Sequence, residues 1–67
     1  MKSLIKVFNI NNNEDINNIR EAVSNNEGVI ACEVSITKQE VSVVYDDRSL
    51  TLDDIINSIE LKGYSVL

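Results

Sequence analysis

The hydrophobic positions of the chain switch between two periods. In Ser3–Phe8, SLIKVF, Ile5 and Val7 fall on one face and Leu4, Lys6 and Phe8 on the other; this period of two predicts a strand with one buried face. From about Glu14 to Asn25 the period lengthens. Ile16, Ile19, Ala22 and Val23 make one apolar stripe, which predicts a helix. Asn12 or Asn13 is placed to cap that helix, and Asn12 with Asp15 three residues later is close to a capping box. Glu14 and Asp15 complement the positive end of the helix dipole. NNEGV stops the helix, with Gly28 as a left-handed turn residue. VIACEVSI predicts a second strand with Ile30, Cys32, Val34 and Ile36 on one face. TKQE is a hairpin connection, and VSVVYDD a third strand facing inward through Val41, Val43 and Tyr45. In SLTLDDIINSIELKG, Thr51 caps a second helix with Asp54 as its capping-box partner. Leu52, Ile55, Ile56 and Ile59 form its stripe, Gly63 ends it, and YSVL is a short last strand.

The order strand, helix, strand, strand, helix, strand predicts an α+β fold, the ferredoxin-like βαββαβ sandwich. Two helices cover one face of a four-stranded antiparallel sheet and leave the other open. Residues 1–67 are read as a single domain. By alternation the open face carries Leu4, Phe8, Ala31, Val44 and Leu67 among Lys6, Glu33, Ser35 and Ser42. Leu4, Phe8 and Val44 are the candidate interaction face, because exposed apolar residues on a small domain mark partner surfaces.

Composition narrows the function classes. A formal net charge of −5 with scattered basic residues argues against nucleic acid and anionic membranes, which reward clustered Lys and Arg. No apolar run approaches the roughly 20 residues that span a bilayer, and MKSLIKVFNI lacks the pattern of a signal peptide. A cytoplasmic location is the expectation. The single cysteine, Cys32, forms no internal disulfide and is expected to pack as a small hydrophobe.

Four stretches, taken in order, resemble the heavy-metal-associated domain family of small copper chaperones and metal-pump modules. They are IREAV (Ile19–Val23), GVIACEV (Gly28–Val34), VSVVYDD (Val41–Asp47) and LTLDDIINSIELKGYSV (Leu50–Val66). The resemblance implies a metal motif, Met-x-Cys-x-x-Cys, in the turn before the first helix. Counting back from Ile19, Ile10 stands where the family has methionine, and Asn12 and Asp15 where it has cysteines. Cu(I) is soft and is held by thiolates, whereas Asn12 and Asp15 offer hard oxygens. The chain has no histidine, and Met1 is its only methionine.

Two readings follow. The first is a degenerate heavy-metal-associated domain, without its Cu(I) thiolates and without a cofactor, that works as an interaction or accessory module with a protein partner or by self-association. The second is a metal-binding or metal-transport protein that uses altered oxygen ligands, Asn12, Glu14 and Asp15. Ca²⁺ wants 6–8 oxygens, and a helix N-terminus repels cations, so capping is the simpler role for these residues. The acids around the second helix, Asp46, Asp47, Asp53 and Asp54, read as a strand end and a capped helix start. Tyr64 is expected to be a core residue with an exposed hydroxyl. Catalysis is not expected. An acylphosphatase-like activity needs a glycine-rich, arginine-bearing loop between the first strand and first helix. Here that loop is acidic, and the chain has no histidine for acid–base work. RNA stacking on the sheet face would need more aromatics than Phe8.

Overall fold

The computed structural model describes residues 1–67. Its elements run β1 (Lys2–Phe8), α1 (Asn13–Ser24), β2 (Val29–Ser35), β3 (Glu40–Tyr45), α2 (Leu52–Leu61) and β4 (Ser65–Val66). All six were predicted, with small shifts of boundary. The strands form one antiparallel sheet in the order β2-β3-β1-β4. This is the ferredoxin-like α+β sandwich.

Alternation decides which face is dry. Ile5, Val7, Val41, Val43 and Tyr45 point inward and are buried. Ile19, Ala22 and Val23 of α1 and Ile55 and Ile59 of α2 close over them from the same side. Two core residues escaped the periodic reading, Ile10 and Leu50, at 1% and 7% exposure. Both lie in connections, where no period points inward.

Both helices start as their sequences direct. The Asn12 side chain caps α1 by accepting from the Asp15 N–H. Thr51 caps α2 in a full capping box with Asp54. Gly63 takes φ +95° just past α2 and Gly28 takes φ +105° just before β2, a region that costs other residues strain. A Cβ on Gly28 would also come within 3.2 Å of the Ser49 Cβ.

The second strand departs from simple alternation. Val29 pairs with Tyr45 but Ala31 pairs with Val44, so Ile30 is an extra residue in a β-bulge. The bulge puts Val29 against the core and turns Ile30 outward, 71% exposed. The expectation that Ile30 shares the inner face with Cys32 and Val34 is therefore corrected. Ile36 lies past the end of the strand and is exposed as well.

The bulge and the core predict opposite costs for the same substitution. Ile55→Ala removes a fully buried side chain and should cost about 2–5 kcal/mol, a large share of the stability of a domain this small. Ile30→Ala should stay within about 0.5 kcal/mol. Urea-unfolding midpoints at constant slope measure both.

Candidate functional site

Three connections meet at one end of the sandwich: β1–α1, β2–β3 and α2–β4. Their meeting is held by side chains from the second and third reaching into the first.

Gln39, in the β2–β3 turn, makes the first tie. Its Oε1 accepts from the Ile10 N–H at 3.1 Å, and its Nε2 donates to the Ile10 carbonyl at 2.8 Å. The same Nε2 donates to the Ile36 carbonyl at 2.8 Å. The amide thus pairs with Ile10 as a neighbouring strand would, while the Ile10 side chain is sunk in the core. Gln39 itself sits at φ +53°, which aims it across the turn.

Asp15 makes the second tie. Its Oδ2 accepts from the Asn11 N–H at 2.9 Å, and its Oδ1 accepts from the Tyr64 hydroxyl at 2.5 Å. The Asp15 N–H in turn donates to Asn12 Oδ1 at 2.9 Å. The result resembles a capping box, but the carboxylate reaches back to Asn11 and not to the cap residue itself. Tyr64 was expected to be a core residue with an exposed hydroxyl; its hydroxyl donates to Asp15. The ring packs against the core and brings the oxygen up beneath the turn.

The electrostatics follow from these bonds. Tyr64 first, then the Asn11 N–H, hold the Asp15 carboxyl below its ordinary pKa. Partial burial, then the bond to Asp15, push the Tyr64 hydroxyl up.

The predicted site residues separate into groups. Asn12 and Asp15 come together in the turn, while Glu14 is exposed and joins none of these bonds. No three His, Cys, Asp or Glu side chains converge anywhere in the molecule to hold a cation. Cys32 lies in β2 opposite Val43, partly buried against the core, and burial raises its thiol pKa. Of the acids around α2, Asp46 is bonded to Arg48 and Asp54 to Thr51, so these two serve local structure. Leu4, Phe8 and Val44 do lie on the open face, with Leu4 64% and Phe8 45% exposed. Lys6 stands between Leu4 and Phe8 on β1, so those two form no continuous apolar patch, whereas Val44 is diagonal to Leu4 across the β1–β3 pairing. Sequence reasoning missed Gln39 and, although it placed Ile10 in the turn, missed that Ile10 is buried. An isoleucine inside a run of asparagines was the available signal for the second; nothing in TKQE singles out the glutamine.

A βαββαβ sandwich whose structured β1–α1 turn lies at the shared end of the connections defines a class of small α+β domains. Residues 5–65 match the heavy-metal-associated domain, and the chain belongs to that family. It is 35% identical over 49 residues to the copper chaperone CopZ of Staphylococcus aureus strain MRSA252, covering 73% of this chain and 72% of that one. Among solved structures, a CopZ metallochaperone superposes with a TM-score of 0.98 at 25% identity, over the full length of both chains. Apo-CopP from Helicobacter pylori does so with 0.89 at 31% identity, also over both full lengths.

The two ties predict a characteristic pH dependence. Because the folded state lowers the pKa of Asp15, its contribution is complete above the unfolded value of about 3.9. It is lost as pH falls through the lower folded value. For Tyr64 the sign reverses: its contribution is complete below about pH 10 and is lost as pH rises through the raised folded value. Urea midpoints measured across both limbs should show Asp15→Asn flattening the acid limb and Tyr64→Phe the alkaline limb. An acid limb unchanged in Asp15→Asn would exclude this carboxylate as its source.

Proposed function

We propose that this heavy-metal-associated domain does not carry Cu(I) on its own residues and acts as an interaction or accessory module, not as an enzyme. The observation that carries the reading is the chemistry of the turn. Where the resembled motif has two cysteines, this chain has Asn12 and Asp15, and their side-chain oxygens are engaged with the helix start, Asn11 and Tyr64. Amide and carboxylate oxygens are hard donors and suit Cu(I) poorly. The one thiol is on the sheet, in β2, with its pKa raised, the opposite of the thiolate that a soft cation needs.

A hard cation is served little better. Glu14 would have to supply the free carboxylate, because both oxygens of Asp15 already accept hydrogen bonds. Ca²⁺ asks for 6–8 oxygens, and the helix N-terminus below the turn repels positive charge.

The relatives named as copper chaperones support a role among protein partners, since a chaperone delivers its cargo to another protein. A cytoplasmic setting is part of the same proposal. No helix of the chain is long and apolar enough to cross a membrane.

The test is competition for Cu(I) between the reduced protein and a chelator, with Zn²⁺ and Ca²⁺ followed by calorimetry. The wild-type chain should lose every competition. Asn12→Cys with Asp15→Cys should then win Cu(I) at one equivalent, because the fold around the turn is that of the copper-binding relatives. Tight one-to-one binding by the wild-type chain, abolished by Asp15→Ala or Cys32→Ser, would overturn the reading and name the ligand.

A further inference from the structure

We propose that the open face of the sheet is a self-association surface and that its occupant is a second copy of this chain. The proposal rests on the interaction-module reading in naming the partner, but its test is independent of copper.

Charge selects the face. The chain carries eleven acidic and six basic residues. The open face and the depression at its centre, about 330 Å³ in volume, hold Lys2, Lys6 and Lys38 against only Glu33 and Glu40. Half of the positive charge therefore sits here with two of the eleven acids. The rest of the molecule carries the other nine acids with only three basic residues, Arg20, Arg48 and Lys62, so copies meeting there would on balance repel. On this face they would not.

Register selects the geometry. In β1–β3 pairing, Lys2 stands opposite Val44, Leu4 opposite Ser42 and Lys6 opposite Glu40. The lysines thus form a column on β1, and the glutamates lie across the sheet on β3 and β2. Two such faces can meet about a two-fold axis parallel to the strands, between β1 and β3. Lys6 of each copy then lies over Glu40 of the other, and Leu4 over Ser42. A two-fold axis perpendicular to the strands would place Lys2 over Lys6 and set like charges together. The charges therefore favour the first arrangement, which is the aligned packing of sheet on sheet. Leu4 would lose its exposure near the centre of the contact. Lys6 and Glu40 are already within 3.9 Å in the monomer, so each copy presents a neutral pair to an inverted one.

Size sets the strength. Three strands of six or seven residues, roughly 20 Å long at about 4.8 Å spacing, and the two-residue β4 give about 300 Å² of face per copy. About 600 Å² over the pair falls well short of the roughly 1,200 Å² of a stable interface. The dimer should be weak and reversible, in the upper micromolar range.

Sedimentation equilibrium from micromolar to millimolar protein tests this, with circular dichroism melts to show that each variant is folded. The substituted positions are exposed or half-exposed strand sites, so folding should survive. The wild-type chain should dimerise at the upper concentrations. Leu4→Asp should abolish the dimer. Lys6→Glu should weaken it by about tenfold or more, and adding Glu40→Lys to that variant should restore it to within about threefold of wild type. A chain that stays monomeric to millimolar concentration would overturn the proposal. So would a dimer indifferent to Leu4→Asp, which would lie elsewhere, as along the free edge of β2. A dimer lost with Leu4→Asp but indifferent to Lys6→Glu would overturn the register. Copper binding by the monomer would refute the accessory reading and leave the dimer result standing.

Discussion

A four-stranded sheet in 67 residues has helices enough to cover one face. That constraint arranges everything else in the molecule. The inner row of Ile5, Val7, Val41, Val43 and Tyr45 must be dry, so α1 and α2 lie side by side on it. Crossing back and forth over one face then stacks the β1–α1, β2–β3 and α2–β4 connections at the same end. Residues as distant in sequence as Asp15, Gln39 and Tyr64 become neighbours for that reason alone. The uncovered face is the other product of the same constraint: a surface of mixed charge on an otherwise acidic domain.

The shared end is also where the chain departs from what its family resemblance implies. A metal held by two thiolates is a cross-link within a turn, and it supplies order that a short loop otherwise lacks. Here the corresponding turn is ordered by hydrogen bonds. Asp15 collects the Asn11 N–H and the Tyr64 hydroxyl, Asn12 collects the Asp15 N–H, and Gln39 holds both backbone polar groups of Ile10. Ile10 itself anchors the turn from below as part of the core. Bonds with an ionised partner are stronger than neutral ones, so one carboxylate can serve as the hub of such a turn.

The fold was legible because its signals are local and agree with one another. Period-two and helical stripes, two capping motifs and two glycines each point to the same six elements. The failures have a common cause. Ile30 was misplaced because a bulge depends on how two strands pair, and the sequence of β2 alone does not reveal that Val29 and Ala31 will face adjacent residues of β3. Gln39 and the Tyr64–Asp15 bond were missed because they are tertiary. Asn12 as cap was legible from its spacing to Asp15, but the destination of the Asp15 carboxylate was set by a tyrosine 49 residues away. The open-face residues Leu4, Phe8 and Val44 were assigned correctly by alternation. The separation of Leu4 from Phe8 by Lys6 follows from the same alternation once all the positions are laid out.

The asparagine-rich turn thus has a physical reading that does not require a ligand. A helix N-terminus presents unpaired N–H groups and partial positive charge. Thiolates answer that field with negative charge, and gathering two of them is costly without a cation between them. Asn12 answers it with a neutral acceptor, and Asp15 with a single charge whose second oxygen is spent on Tyr64. One negative charge replaces two, so no cation is needed to separate them. A turn built this way keeps the fold shared with the CopZ metallochaperone while its N-terminal field is answered by hydrogen bonds from within the chain.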